Sequence, residues 1–200
     1  KLANGRWLTP YNPELGRNFE PAPGYVEGNA WNYRFYVPHD IPGLIELLGG
    51  EAEFEKQLSL TFSSDNFDMA NEPDITYPFL YNFVVGSESK TSSRVAQLIK
   101  QHYHNTPGGI PGNDDAGTLS AWLAFSMLGI YPVTPGDMNY ALFQPTFDKV
   151  EIDLNSKYYR GKKLIIEKSK SNNSFEGQPT GSFVSHQQLT SGGKLQLKAH

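Results

Sequence analysis

The chain has 200 residues, a formal charge of −4 at pH 7 and no cysteine. That length can bury a sizeable core, the mild acidity gives no support for a nucleic-acid partner, and the lack of cysteine excludes disulfides, thiolate metal sites and a cysteine nucleophile. Aromatic residues reach 13% against 19% charged, which argues against disorder and suits surfaces that handle flat polar ligands such as sugars, though cores also need aromatics.

Residues 2–24 read as loop, with Pro10, Pro13, Pro21 and Pro23 as punctuation. Position 1 is Lys rather than Met, which suggests processing or truncation, and no apolar signal-peptide core follows. Asn29 is placed to cap a short helix running through Val37 and stopped by Pro38. A second helix is expected over 41–48, where Leu44, Leu47 and Leu48 share a face before Gly49 and Gly50. The third, 51–62, carries Phe54, Leu58 and Phe62 at i, i+4 and i+8. Further helices are expected over 75–85 and 92–103. The last, 118–128, is apolar nearly all round and so is expected to be deeply buried.

Beyond Pro135 the apolar period falls to two. Residues 149–154, 162–167 and 194–198 alternate as strands, with turns at Gly161, Gly177, Gly181 and Gly192–Gly193. The expected class is α+β: paired helices over residues 1–138, then a small antiparallel β region over 139–200. No apolar stretch reaches the roughly 20 residues of a membrane-spanning helix.

The chemistry-bearing residues fall on loops that precede helices. Asn113, Asp114 and Asp115 lie in a glycine-framed loop from Gly109 to Gly117, at the mouth of the 118–128 helix. Adjacent carboxylates there suit general-base work or a divalent cation, and equally suit helix capping. Glu27 precedes Asn29 and keeps the company of Trp31, Tyr33, Phe35 and Tyr36, aromatics able to desolvate it for general-acid duty. A lone Glu before a helix is also a common cap or solvated charge. Asn71 and Glu72 offer hard oxygen ligands, while Asp74 reads as the N-cap of the 75–85 helix. His39 and Asp40 sit at a helix start, and His102 and His104 at a helix end, with no zinc spacing among the histidines. A carboxylic acid with a carboxylate base is the pair that inverting glycoside hydrolysis requires.

The series Glu27-Gly28-Asn29-Ala30-Trp31 with Tyr33, Val37-Pro38-His39-Asp40, Asn71-Glu72-Pro73, and Pro111-Gly112-Asn113-Asp114-Asp115-Ala116-Gly117 followed by Ser120-Ala121-Trp122 resembles glycoside hydrolase family 92. The resemblance implies a calcium-dependent, inverting α-mannosidase that acts on terminal α-linked mannose of glycans, often α-1,2. It implies a β-sandwich followed by an (α/α)6 barrel, of which this chain supplies the C-terminal part and a small β region. The sandwich and the other barrel half would then be partners within one parent chain. Matched position by position, Glu27 becomes the acid and Asp115 the base, Asn71 and Glu72 hold Ca2+, and Trp31, His39 and Asp40 contact sugar. Asn113 stands where many relatives carry a second acid, so the roles within Asn113–Asp115 stay open. Asp74-Ile75-Thr76 also departs from the family pattern, which bears on linkage preference. Secretion, or a periplasmic or cell-surface location, is implied by the same resemblance. The alternatives are a non-catalytic carbohydrate-binding module and a relative that cleaves another α-mannosidic linkage.

Overall fold

A computed structural model describes residues 1–16, 20, 22, 24–63 and 66–199. Of the loop expected over 2–24, residues 17–19, 21 and 23 lie outside the described set; the remainder forms turns and one isolated bridge, Ala22 with Tyr25.

Helix α1 is shorter than its cap implied, spanning only Ala30–Tyr33. Asn29 caps it as expected, accepting from Trp31 N and Asn32 N, and Asn32 closes a capping box. The helix stops because Phe35 turns inward, its ring 5.4 Å from both Phe54 and Tyr77. Helix α2 (Ile41–Leu47) is capped by Asp40, whose Oδ1 accepts from Gly43 N at 2.9 Å. Helix α3 (Glu51–Ser63) buries Phe54 and Leu58 completely, each worth about 1.5–3 kcal/mol of transfer free energy. The helix expected over 75–85 is two pieces: a four-residue α4 (Glu72–Ile75) and a 3-10 helix, Tyr77–Phe83. Pro78 lies within the first turn of that 3-10 helix, and the 3-10 winding sends Tyr77 through Asn82 all into the interior.

Helix α5 (Glu88–His102) begins four residues earlier than its apolar pattern indicates. Helix α6 (Thr118–Leu128) has the expected bounds but not the expected all-round burial. Leu119, Trp122 and Ser126 face inward while Ala121 and Ala124 are exposed. Its small residues read as interior in composition although only one stripe meets the core within this chain.

The β region departs from an all-antiparallel plan. Strands β1 (Ile130–Tyr131), β2 (Asn139–Leu142) and β7 (Phe183–Ser185) form one antiparallel sheet. Strands β3 (Lys149–Asp153), β4 (Lys163–Ser169), β5 (Ser174–Phe175), β6 (Gln178–Pro179) and β8 (Gly193–Lys198) form a second, in the order β3-β4-β8-β5-β6. Within it β4 and β8 run parallel, Leu164 opposite Gly193 through to Ser169 opposite Lys198. The intervening β5–β6 hairpin, β7 and α7 (His186–Ser191) supply the long crossover that parallel pairing demands. Glu176 and Gly177, both at positive φ (48° and 78°), make the two-residue turn of the hairpin. The parallel pair buries Leu164, Ile166, Leu195 and Leu197.

One buried group joins the helical part to the sheets and another ties the helices to one another. Asn82, buried, donates through Nδ2 to Leu142 O (2.9 Å) and Ser182 O (3.0 Å) and accepts from Thr91 Oγ1. Trp122, fully buried, stacks on Tyr103 at 5.6 Å and donates Nε1–H to Ile75 O at 2.8 Å. Among the described residues no helix is long and apolar enough to cross a membrane.

Replacing Trp122 by Phe leaves the buried Ile75 carbonyl without its donor, a cost of about 1–3 kcal/mol. Denaturant unfolding of the native protein carrying this chain is expected to show that loss; an unchanged midpoint would refute the role given to this bond.

Candidate functional site

Glu27 occupies a strained place. Its φ is 53°, left-handed backbone that a residue with a Cβ adopts at a cost of about 1–3 kcal/mol. The flanking carbonyls are pinned. Val26 O accepts from Tyr33 OH at 2.7 Å, and Glu27 O accepts from Asn71 Nδ2 at 2.8 Å. A Cβ on Gly28 would stand 3.1 Å from Asn32 Oδ1 and 3.2 Å from Asn71 Nδ2, so the backbone is wedged between two side-chain amides. The Glu27 side chain itself is exposed. The desolvation expected from Trp31, Tyr33, Phe35 and Tyr36 is therefore not supplied within this chain, since Phe35 turns into the core and Tyr36 is itself exposed.

The turn from Asn71 to Tyr77 buries three polar side chains, Asn71, Asp74 and Tyr77. Asn71 stands at the N-cap position of α4 without a side-chain cap bond, and its Nδ2 donates instead to Glu27 O. Glu72 follows, exposed. Asp74 is not the N-cap that the sequence suggests. It lies inside α4, 0% exposed, and its Oδ2 accepts from Asn32 Nδ2 (2.7 Å) and Asp68 N (2.8 Å), while Oδ1 has no hydrogen-bond partner among the described residues. Burial pushes its pKa up to about 8. Tyr77 OH donates to Asn32 O and accepts from Phe35 N at 3.1 Å; burial raises its pKa as well.

The Asn113–Asp115 loop follows Gly112, which lies close against Ala70 just before that turn. A Cβ on Gly112 would approach Ala70 Cβ to 2.8 Å, and Trp122 in α6 holds Ile75 O. Asp115, Ala116 and Gly117 are successively left-handed, with φ of 41°, 57° and 91°. Thr118 fixes this geometry by donating from N (3.2 Å) and Oγ1 (2.7 Å) to Asp115 O, leaving the Asp115 side chain exposed. Asp114 does the capping, accepting from Ser120 N at 2.8 Å and Ser120 Oγ at 2.7 Å. The Ser120 hydroxyl and backbone N–H hold its carboxyl below the usual range. Asn113 is exposed.

The sugar-contact candidates lie less tightly gathered. Trp31, half-buried, donates Nε1–H to Glu14 at 3.0 Å and lies under the Arg34 guanidinium, 5.1 Å from its ring centre. Asp40 is occupied as the α2 cap, and His39 is exposed. A cavity of about 260 Å³ lies elsewhere, between α5 and the strands, lined by residues that include Glu88, Phe143, Ser182 and Lys198; it holds none of the candidates. Sequence reading missed Asn32 and Tyr77 as site supports. The only signal was polar residues at interior helical positions.

The whole chain, residues 1–200, matches the glycosyl hydrolase family 92 catalytic domain. An uncharacterized secreted glycosidase of Arthroderma benhamiae is 30% identical over 185 residues, 86% of this chain and 23% of its own length. Among solved structures, a family 92 alpha-mannosidase of Bacteroides thetaiotaomicron superposes with a TM-score of 0.83 at 25% identity, over 98% of this chain and 27% of that one. An inverting mannosidase of the same family and organism gives 0.81 at 24%, over 98% and 30%, a likeness of fold. The chain thus spans less than a third of the length of these proteins.

The Asp114 cap has a pH signature. A carboxylate held below its ordinary pKa stabilises the fold above about pH 4, and that contribution is lost as the pH falls through the folded-state value. Thermal melts from pH 6 to pH 3 are expected to show a smaller acid loss in Asp114→Asn than in the parent, and an equal loss in both would refute the cap.

Proposed function

Because the chain belongs to glycosyl hydrolase family 92, we propose that the protein carrying it is a calcium-dependent, inverting α-mannosidase that releases terminal α-linked mannose, in α-1,2 linkage, from glycans. The observation that carries this reading is the placement of two exposed carboxylates, Glu27 and Asp115, on left-handed backbone, the first tied through its carbonyl to Asn71 and the second at the mouth of α6, whose Trp122 bonds Ile75 O. Strain of that kind is retained where the surroundings over-determine it, typically at sites of chemistry.

In this reading Glu27 protonates the glycosidic oxygen as the bond to the anomeric carbon breaks. Asp115 takes a proton from the water that attacks the opposite face, a task for carboxyl groups roughly 6.5–9.5 Å apart. Asp114 orients the loop from its cap on Ser120, and Asn113 lies beside them. Trp31, His39 and Asp40 contact the sugar. The exposed alanines of α6 meet the remaining barrel half or the sandwich of the parent chain, whose location is secreted or periplasmic; the A. benhamiae relative described as secreted supports that compartment.

The donors at the turn suit a hard cation in kind, being oxygen only. Asn71 uses its Nδ2 on Glu27 O, which leaves the Oδ1 end for a ligand, and Glu72 adds an exposed carboxylate. Among the described residues no three His, Cys, Asp or Glu gather, so these two would fill part of a six- to eight-oxygen shell. Bound there, Ca2+ would engage sugar hydroxyls and favour ring distortion.

In the native protein, Glu27→Gln is expected to lower hydrolysis of an α-1,2-mannobioside by about 100- to 10,000-fold, with folding retained; unaltered hydrolysis would remove Glu27 from the role. Chelation should abolish activity and calcium restore it, and activity indifferent to both would overturn the metal assignment.

A further inference from the structure

We propose that Asp74 is a positioning residue for the Glu27 carboxylate, acting through Asn32 and Asn29; the proposal rests on the reading of Glu27 as the acid. A continuous chain of bonds links them. Asp74 Oδ2 receives Asn32 Nδ2 at 2.7 Å, Asn32 Oδ1 receives Asn29 N at 3.0 Å, and Asn29 is two residues from Glu27. Asn71, three residues before Asp74 on the same turn, holds Glu27 O. The segment from Glu27 to Asn29 is thus fixed at both ends by one rigid turn, with Gly28 pressed between the two amides.

The acceptor at position 74 sets the direction of the whole chain. Asn32 has one oxygen and one nitrogen on its amide, and only the orientation with Nδ2 towards Asp74 offers an oxygen to Asn29 N–H. Without an acceptor at 74, a turned amide sets donor against donor and the left-handed Glu27 relaxes. Asp68 N, the second donor to Asp74 Oδ2, ties the preceding loop into the same acceptor. A misplacement of about 1 Å at a reacting group costs roughly 100-fold in rate. An acid matters in the transition state, so the loss falls on kcat rather than KM.

The leaving group separates this role from simple structural support. A dinitrophenol departs without a proton, whereas an alkyl alcohol needs one. In the native protein, Asp74→Leu is expected to lower kcat about 100-fold on an alkyl α-mannoside and less than about tenfold on a dinitrophenyl α-mannoside, with KM nearly constant. Asp74→Asn, which keeps an oxygen acceptor, should recover most of the rate. Amide hydrogen exchange should accelerate over residues 27–32 and stay unchanged in α5. Equal losses on both substrates, or unchanged exchange over 27–32, would overturn the proposal. If Asp74→Leu does not fold, Asn32→Ser breaks the same chain one link later and must show the same leaving-group contrast and local exchange. Should the parent protein cleave neither mannoside, the mannosidase reading fails by itself and the exchange comparison still decides whether Asp74 holds the loop.

Discussion

The hydrogen bond from Asn32 to the buried Asp74 carboxyl group is the contact around which the helical part of this chain is arranged. A buried carboxyl group is costly unless its oxygens are met, and Asp74 Oδ2 is met only if α1, the Asp68 loop and α4 all keep their places. Tyr77, one helical turn further on, meets Asn32 again through its carbonyl. Trp122 attaches α6 to the same turn at Ile75. A segment of seven residues, 71–77, therefore holds the loop bearing Glu27 and anchors the helix that follows Asp115.

That arrangement is rigid and somewhat strained. Glu27, Asp115 and Ala116 each occupy left-handed backbone without being glycine, and each lies beside a specific restraint: Asn71 Nδ2 for the first loop, the two Thr118 donors for the second. The energy stored there is offset by the aromatic interior beneath, where Phe35, Phe54, Tyr77, Phe79, Tyr103 and Trp122 pack edge-to-face, tilted or stacked. The high aromatic content thus serves the core at least as much as any sugar-facing surface. The C-terminal sheets are tied to the helical part by Asn82, which donates to Leu142 O in β2 and to Ser182 O just before β7.

Much of this was legible in the residues. Periodicity located α2, α3 and α6 within a residue or so, and the caps Asn29 and Asp40 act as their types indicate. The candidate site was visible as motifs, since Glu27, Asn71 and Asp115 fall just before helices and Glu72 opens one. Where reading failed, a long-range partner had overridden a local preference. Asp74 looks like a cap and became a buried acceptor; Phe35 looks like a helix continuation and became core. The apolar run from Ile75 split because Pro78 and the inward-facing 3-10 winding served burial better than one α-helix. The parallel pairing of β4 with β8 leaves no mark in alternation, which is the same for either direction.

The sequence alone determined which residue types stand before which helices, the switch from a period near 3.6 to a period of two, and the membership of the chain in its family. The tertiary structure decided which of two adjacent aspartates caps α6 and which is left exposed, since Ser120 can serve only the one in reach. It also decided that one turn holds the Glu27 carbonyl and anchors α6 behind the Asp115 loop. The physical reason is shared: capping and helix propensity are local and readable within a few residues, whereas satisfying a buried polar group depends on partners some forty residues away, such as Asn32 for Asp74.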